Sequence, residues 1–392
     1  MAKLRLLTFS TLFPNSAAPS HGVFVENRLR HLVASGEAAS TVLAPVPWFP
    51  STHPRFGPYA KFAAAPRFEH RHGLDVHHPR FLVIPKFGMN LAPHFLYAAA
   101  RPALARLIRN GLEFDAIDAH YLYPDGTAAA WLGAHFNKPV VITARGSDVT
   151  ELPDFPIPNR LIRTAIQSAA HLIGVSAALC ARMIELGADP AKVTTLRNGV
   201  DTSVFHPTDR QADRAALGLT RKTLLSVGHL IERKRNHLTL EALAELPEFD
   251  LILVGDGPER PRLEALATTL NLTHRIRVLG PRPHHELKHL YTAADALVLA
   301  SSREGWANVL LEAMACGTPV IASNIPGNPE VVQTPAAGRI APTNTPHGLA
   351  TAIQNLFATP PNRAETLAYA QPFSWDTTTQ GQLEIFRQVT RK

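Results

Sequence analysis

Short apolar runs that cannot be split into an inner and an outer face recur along the whole chain, and amphipathic stretches separate them. In the first half the runs are LRLLTFS (4–10), TVLAPV (41–46), DAIDAH (115–120), VVITAR (140–145), HLIGVS (171–176) and VTTLRN (193–198). In the second half they are TLLSVG (223–228), DLILVG (250–255), RIRVLG (275–280), ALVLAS (296–301) and PVIAS (319–323). The helical periodicity between them covers 24–35, 92–110, 126–136, 160–170 and 177–186, then 236–246, 259–270, 284–293 and 307–316. Strands that are apolar on both faces and alternate with helices require parallel sheets covered by helices on each side. Two such series predict an α/β protein with two Rossmann-like, doubly wound domains. The polar stretch DTSVFHPTDRQADRAALG (201–218) separates the series, and 392 residues exceed what one ordinary core accommodates.

The remaining composition excludes more than it selects. A formal charge of +7 favours anionic partners. No block of five Lys or Arg occurs, which argues against a nucleic-acid partner. Cys180 and Cys316 are the only cysteines, both in apolar helical runs, and are expected as buried free thiols in a reducing compartment. No apolar stretch reaches the roughly 18 residues of a membrane span. The N-terminus has the look of a short leader, but its apolar run is brief and broken by Thr8, Ser10 and Thr11. A first buried strand is the expectation there.

In open parallel sheets, ligands sit beyond the carboxyl ends of the strands. That nominates GHLIERKRN (228–236), GDGPE (255–259), GPRPHH (280–285) and SSREGWAN (301–308) in the second half. In the first half it nominates TLFPNSAAPSHG (11–22), AHYLYPDG (119–126) and ARGSDV (144–149). One set of loops per domain implies a cleft between two sheets.

The chemistry of these loops suits a sugar joined to a nucleotide through phosphates. Glu304 follows a strand end, Gly305 lets the backbone turn, and a helix should begin at Ala307 or Asn308. The N–H groups of Asn308, Val309 and Leu310 would form an anion site. Carboxylates beside a phosphate site are better explained by hydroxyl groups, so Glu304 and Glu312 are candidate sugar and ribose ligands. The competing readings are a dipole-favouring carboxylate at a helix start for Glu304 and a solvated face for Glu312. The apolar neighbours Leu310, Leu311, Ala313 and Met314 weaken the latter, since a charge there needs a partner. Lys234, between Arg233 and Arg235, is placed to neutralise a diphosphate, or is part of an exposed basic loop. Asp256 lies in a tight Gly-Asp-Gly-Pro turn, and His120 ends a strand facing the expected cleft. The adjacent pairs His77–His78 and His284–His285 lack helical i, i+4 metal-ligand spacing, and neither GxGxxG nor GxxxxGK[ST] occurs.

With these residues in view, the chain resembles the family four glycosyltransferases of GT-B fold, the group 1 glycosyl transferases. REGWANVLLEAMACGTPVIAS resembles the family's E-x7-E signature and its following Gly-x-Pro-Val strand. SVGHLIERK, LVGDGPE, YTAADALVLASSREG, LRNGVD and NSAAPSHGVF support the likeness. The closing FSWDTTTQGQLEIFRQV is similar to the family's last helix, which returns to the first domain.

The resemblance implies an acceptor-binding domain at 1–205, completed by 373–392, and a nucleotide-sugar domain at 206–372. It implies retaining transfer of a hexosyl group from a UDP- or GDP-sugar to an acceptor hydroxyl, in surface polysaccharide or glycolipid synthesis. The nucleotide sugar is a co-substrate, and no cofactor or metal is required. Glu304, Lys234 and His120 would act at the reacting centre. Gly22, Gly305, Trp306, Ala307, Asn308, Val309 and Leu310 would line the donor, and Glu312 would hold the ribose. Arg282 would read the base, Asp256 would contact the nucleotide, Arg233 would assist Lys234 at the diphosphate, and Asp148 would bind substrate from the first-half loop. This chain has His229 where the family commonly has arginine, and Arg145 where it commonly has histidine.

The implied partners are the nucleotide sugar and a lipid-linked or saccharide acceptor. A peripheral contact with an anionic membrane would come through RPALARLIRN (101–110), giving a cytoplasmic enzyme at the inner face of the membrane. The alternatives are a non-catalytic sugar- or membrane-surface-binding protein of the same fold, and a nucleotide-sugar epimerase.

Overall fold

A computed structural model describes residues 3–84 and 88–391. The chain divides into two compact units. One comprises the described residues up to Asn198 together with those from Asp376 onward, and the other is Gly199–Trp375. Residues 1, 2, 85–87 and 392, which the sequence-derived domain limits include, lie outside the described residues.

The first unit holds an eight-stranded sheet built from β1 (Leu4–Phe9), β2 (Ala38–Leu43), β3 (Phe68–Arg71), β4 (Leu74–His77), β5 (Ala116–His120), β6 (Val140–Ala144), β7 (His171–Gly174) and β8 (Val193–Thr195). Their order is β8-β7-β6-β5-β1-β2-β4-β3. The N-terminal apolar run is thus a central strand, pairing with β2 through Leu4↔Ala38 and with β5 through Leu6↔Ala116. All pairings are parallel except β3–β4. That hairpin was not expected from the sequence, because its strands are short and largely polar. Its two-residue turn, His72-Gly73, takes positive φ at both positions (49° and 80°), as a tight hairpin twist demands.

The last helix, Trp375–Thr390, returns to this unit. Leu383, Ile385 and Phe386 join the core formed by Leu4, Leu6, Val25, Leu29, Val42, Val76 and Val141. Gly381 permits the close approach: a Cβ there would lie 2.5 Å from Leu196 Cδ2. In the segment 101–110, Leu104 faces the interior while Ile108 is exposed.

The second unit is built on β9 (Lys222–Val227), β10 (Phe249–Val254), β11 (Ile276–Val278), β12 (Ala296–Leu299), β13 (Val320–Ala322) and β14 (Gly338–Ile340). All are parallel, in the order β11-β10-β9-β12-β13-β14. Strand order therefore reverses between β9 and β12, which pair through Leu224↔Ala296 and Leu225↔Leu297. Crossovers leave these two neighbours toward opposite faces, and the crevice so formed is the favoured ligand position in this architecture. In the first unit the reversal lies between β1 and β5.

Phe386 is fully buried. Phe386→Ala should lower the stability of the first unit by about 3–5 kcal/mol, measured by urea unfolding.

Candidate active site

Lys234 and Glu304 meet at the strand-order reversal of the second unit. The loop after β9 leaves through Gly228 at φ 147° and forms a single turn, Glu232–Lys234, before the helix Asn236–Ala244. The loop after β12 carries Ser301–Ala307 into the helix Asn308–Ala315. The two loops are fastened by one guanidinium and one backbone bond. Arg235 donates from Nε to the Ala300 carbonyl (3.1 Å) and from Nη2 to that of Ser301 (3.0 Å). The Ser302 N–H donates to the Arg233 carbonyl at 2.9 Å.

On this frame the Lys234 ammonium lies 2.6 Å from Glu304 Oε1, and Arg233 Nη1 lies 3.1 Å from Oε2. Ser301 Oγ donates to Oε1 at 2.7 Å. The Glu304 and Lys234 side chains are only 9% and 14% exposed. Burial alone pushes the Glu304 carboxyl up, but the charges of Lys234 and Arg233 and the hydrogen bonds outweigh it, holding the group below the usual carboxylate range. The helix start beside it has no side-chain cap. Of the three amides expected to face a ligand, that of Leu310 is engaged by the Ala307 carbonyl at 3.0 Å. Asn308 and Val309 open the helix. Gly305 and Glu304 are backed by Gly327, whose added Cβ would meet the Gly305 carbonyl at 3.3 Å. Trp306 and Ala307 are buried.

Glu312 is buried and has the partners that its apolar helix demanded. Tyr291 Oη donates to Oε2 at 2.8 Å, and His284 Nε2 contacts Oε1 at 3.0 Å. Burial depresses the His284 pKa, but the Glu312 bond and charge and the nearby Asp201 raise it above the usual histidine value overall. Sequence reasoning missed both partners. Tyr291 sits in an apolar run, and His284 had been considered only as a metal ligand. Asp256, His229 and Arg282 lie exposed on neighbouring loops of the same sheet edge. The Asp256 loop packs on the Lys234 loop, and a Cβ on Gly255 would lie 1.9 Å from the Gly228 carbonyl. Among the described residues no group of three or more His, Cys, Asp or Glu could hold a metal ion.

In the first unit, Gly22 adopts φ 71° where a Cβ would sit 2.3 Å from the Leu12 carbonyl, so only glycine fits. His120 is fully buried and does not present a free ring nitrogen. Arg145 Nη2 donates to Nδ1 at 2.7 Å, and Nε2 donates to Asp118 Oδ2 at 3.2 Å. Arg145 also donates to Asn198 Oδ1 (3.1 Å), and Arg28 donates to the Leu196 carbonyl (3.0 Å). Burial lowers the His120 pKa to about 4, with Arg145 and Arg28 adding to the effect and Asp118 opposing it. Asp148, expected to contact a ligand, is fully buried. It accepts bonds from the amides of Leu122 (2.7 Å), Gly146 (2.6 Å) and Arg145 (3.1 Å). A short loop with several unpaired N–H groups needs such an acceptor. The apolar character of DAIDAH had hidden the role of Asp118.

Two outcomes follow from these charges. The depressed Glu304 pKa means that its pairing stabilises the fold above the ordinary carboxylate pKa and is lost as pH falls through the lowered value. Lys234→Ala should move this acid limb of stability to higher pH. It should cost toward the lower end of the roughly 3–5 kcal/mol typical when a buried pair loses one partner, because Arg233 and Ser301 remain. Urea unfolding across pH measures both. The His120 ring should stay neutral until about pH 4, and the stability gained from holding it neutral should be lost as pH falls from the ordinary value of roughly 6.5. Removing the cation in Arg145→Met should raise its pKa, read from the imidazole C2 proton by NMR.

Comparison with known proteins accords with this geometry. Residues 209–372 match the family described as Glycosyl transferases group 1, and residues 59–204 match Glycosyltransferase Family 4. D-inositol 3-phosphate glycosyltransferase of Mycobacterium tuberculosis is 36% identical over 217 residues, covering 52% of this chain and 45% of the relative. The chain thus spans about half the length of the curated relatives it matches. Sucrose-phosphate synthase from Thermosynechococcus elongatus superposes with a TM-score of 0.79 at 21% identity over 98% of both chains. HepE from Anabaena, solved with UDP-glucose, does so at 0.72 and 20% identity over 98% of this chain and 99% of that one. Two family matches that between them run through most of both units, on a fold shared end to end with these structures, place the chain among the group 1 glycosyltransferases of family 4, with GT-B architecture.

Proposed function

We propose that the chain is a retaining glycosyltransferase that moves a hexosyl group from a nucleotide-diphosphate sugar to an acceptor hydroxyl, without a metal ion. One observation carries the reading: a buried ammonium 2.6 Å from a buried carboxylate, at the strand-order reversal and beside an uncapped helix start. As the bond between the anomeric carbon and the phosphate oxygen breaks, negative charge collects on the diphosphate. Lys234, Arg233 and the amides of Asn308 and Val309 are suited to stabilise it where water is scarce. Glu304 accepts hydrogen bonds from hydroxyls of the transferred sugar, and Glu312, steadied by Tyr291, accepts those of the ribose. The acceptor oxygen bonds to the anomeric carbon from the side the phosphate leaves, and its proton passes to the departing phosphate oxygen. His120 acts through its buried contacts and not as a base.

A UDP-sugar is favoured as donor by the likeness to HepE, solved with UDP-glucose. The relatives named for inositol phosphate and sucrose phosphate favour a polyol or saccharide acceptor. Lipid-linked sugars of surface polysaccharide or glycolipid synthesis belong to the same chemical class.

The test is release of nucleoside diphosphate from UDP-, GDP- and ADP-sugars with candidate acceptors. Lys234→Ala and Glu304→Ala, with folding preserved, should lower the rate about 100- to 1,000-fold, the usual cost of removing one preorganised charge stabiliser. Unchanged release in both variants would overturn the site. Saturable sugar binding with no release would indicate a non-catalytic binder, and interconversion of the donor sugar would indicate an epimerase.

A further inference from the structure

The two oxygens of the Glu312 carboxylate are held in unlike ways. Tyr291 Oη donates to Oε2 at 2.8 Å, and Tyr291 is fully buried. His284 Nε2 lies 3.0 Å from Oε1, and its side chain is 46% exposed against 10% for that of Glu312. One oxygen is thus tied to an interior phenol and the other to a ring open to solvent. Oε1 is therefore the oxygen that a ligand arriving from solution can win.

The ring is backed by its neighbours but not fastened by them. The buried Phe205 stands edge-on to His284, with ring centres 4.8 Å apart, and 6.0 Å from the Tyr291 ring. Among the described residues Glu312 is the one hydrogen-bond partner of the His284 side chain. The single turn His284–Glu286 that carries it is held by its backbone. The Glu286 N–H donates to the Pro283 carbonyl at 3.0 Å, and the Leu287 N–H donates to the His284 carbonyl. Rotation about the side-chain bonds is enough to take the imidazole off Oε1, and an exposed side chain rotates fast without moving its loop.

We propose that His284 stands in for the ribose in the empty site: nucleotide hydroxyls displace its imidazole from Glu312 Oε1 while Tyr291 keeps Oε2. The inference rests on the reading of Glu312 as the ribose ligand and adds a competitor to it. An ionised carboxylate only accepts hydrogen bonds, so an imidazole N–H and a ribose O–H can replace one another on the same oxygen. They are not equal when the ring is charged, because a charge-assisted bond is the stronger one. The charged groups that act on the ring from the elements packed around it are Glu312 and Asp201, both acidic, while Tyr291 adds a neutral phenol. His285 and Glu286 lie exposed beside it on the same turn. The acidic pair raises the His284 pKa above the usual value. Below that raised value the imidazolium grips Oε1, and above it the neutral ring yields more easily. Nucleotide affinity should therefore climb with pH through this value and then level off. A displaced ring loses its bond to Glu312 and returns toward roughly 6.5, so binding between the two values releases protons.

The test is calorimetric titration of the full chain with UDP-, GDP- and ADP-glucose between about pH 5 and pH 8, where histidine titrates. The phosphates of these donors are diesters and keep their charge over that range, so any pH dependence belongs to the protein. The parent should bind about threefold or more tightly at the upper end, the scale of a partly exposed ion pair. His284→Ala should bind more tightly than the parent at the acid end and show a flatter profile. His284→Gln, which keeps an N–H donor without a titrating charge, should flatten the profile too. His229 and the other titrating groups are common to parent and variants, so the difference between profiles reads His284 alone. The position is exposed, and unchanged thermal unfolding confirms that both variants fold. By NMR, the pKa read from the His284 C2 proton should fall when the donor is added. Equal pH profiles in parent and variants, a His284 pKa that donor leaves unmoved, or weaker binding by His284→Ala at every pH would overturn the inference and leave the transferase reading standing. Failure of all three donors to bind the parent would instead remove the reading of the site, and this inference with it.

Discussion

A parallel strand pair cannot be closed by a tight turn. Each chain segment must cross back over a face of the sheet before the next strand begins. The loops that follow parallel strands therefore gather on one edge, and those of two neighbours whose crossovers diverge face each other with no helix between them. In the second unit those neighbours are β9 and β12, and their loops carry Lys234 and Glu304. The residues are 70 positions apart in sequence, yet the reversal in strand order allows them little choice but to meet. The same constraint brings the loops after β1 and β5 together in the first unit, where Thr11 Oγ1 donates to the buried Asp125 at 3.0 Å.

Charges buried at such edges need partners, and the two units meet that need differently. At Glu304 the partners are two cations and a hydroxyl, and the balance keeps the carboxylate ionised. At His120 two guanidiniums stand close to one carboxylate, and the imidazole settles as the neutral member. Burial lowers the Arg145 pKa to about 9, with the charge of Arg28 adding to the effect, and burial lowers that of Arg28 to about 10 against the charge of Asp118. The Arg145 guanidinium is tied to His120 and Asn198 within its own unit.

The periodic core was readable because both sheets are buried on two faces, so each central strand announced itself as an unbroken apolar run. The edge strands β8 and β11 were also readable, but β3, β4 and β14 were not. β3 and β4 alternate polar residues along a margin, and β14 begins at a glycine. The division between the units falls at Asn198, a few residues before the polar stretch that marked it in the sequence, because Val200 pairs through its backbone with Phe373 of the second unit. At the candidate site, Glu304, Glu312 and Lys234 stood out as charges beside strand ends or within an apolar helix. Their partners Ser301, Tyr291 and His284 did not, nor did Asp118, the partner of His120, since hydroxyls, aromatic rings and an aspartate in a strand carry no local mark of pairing.

The order of residues by itself determined two parallel α/β cores, the strand ends where chemistry gathers, and the need for compensation at Glu312. Those follow from solvent: apolar periodicity and charge burial are local costs that any fold of this chain must meet. Which charge compensates which was decided only in three dimensions. Distances of about 3 Å between residues far apart in the chain depend on strand order and register, and on how far each loop reaches. The tertiary structure likewise turned His120 inward, into contact with Arg145 and Asp118.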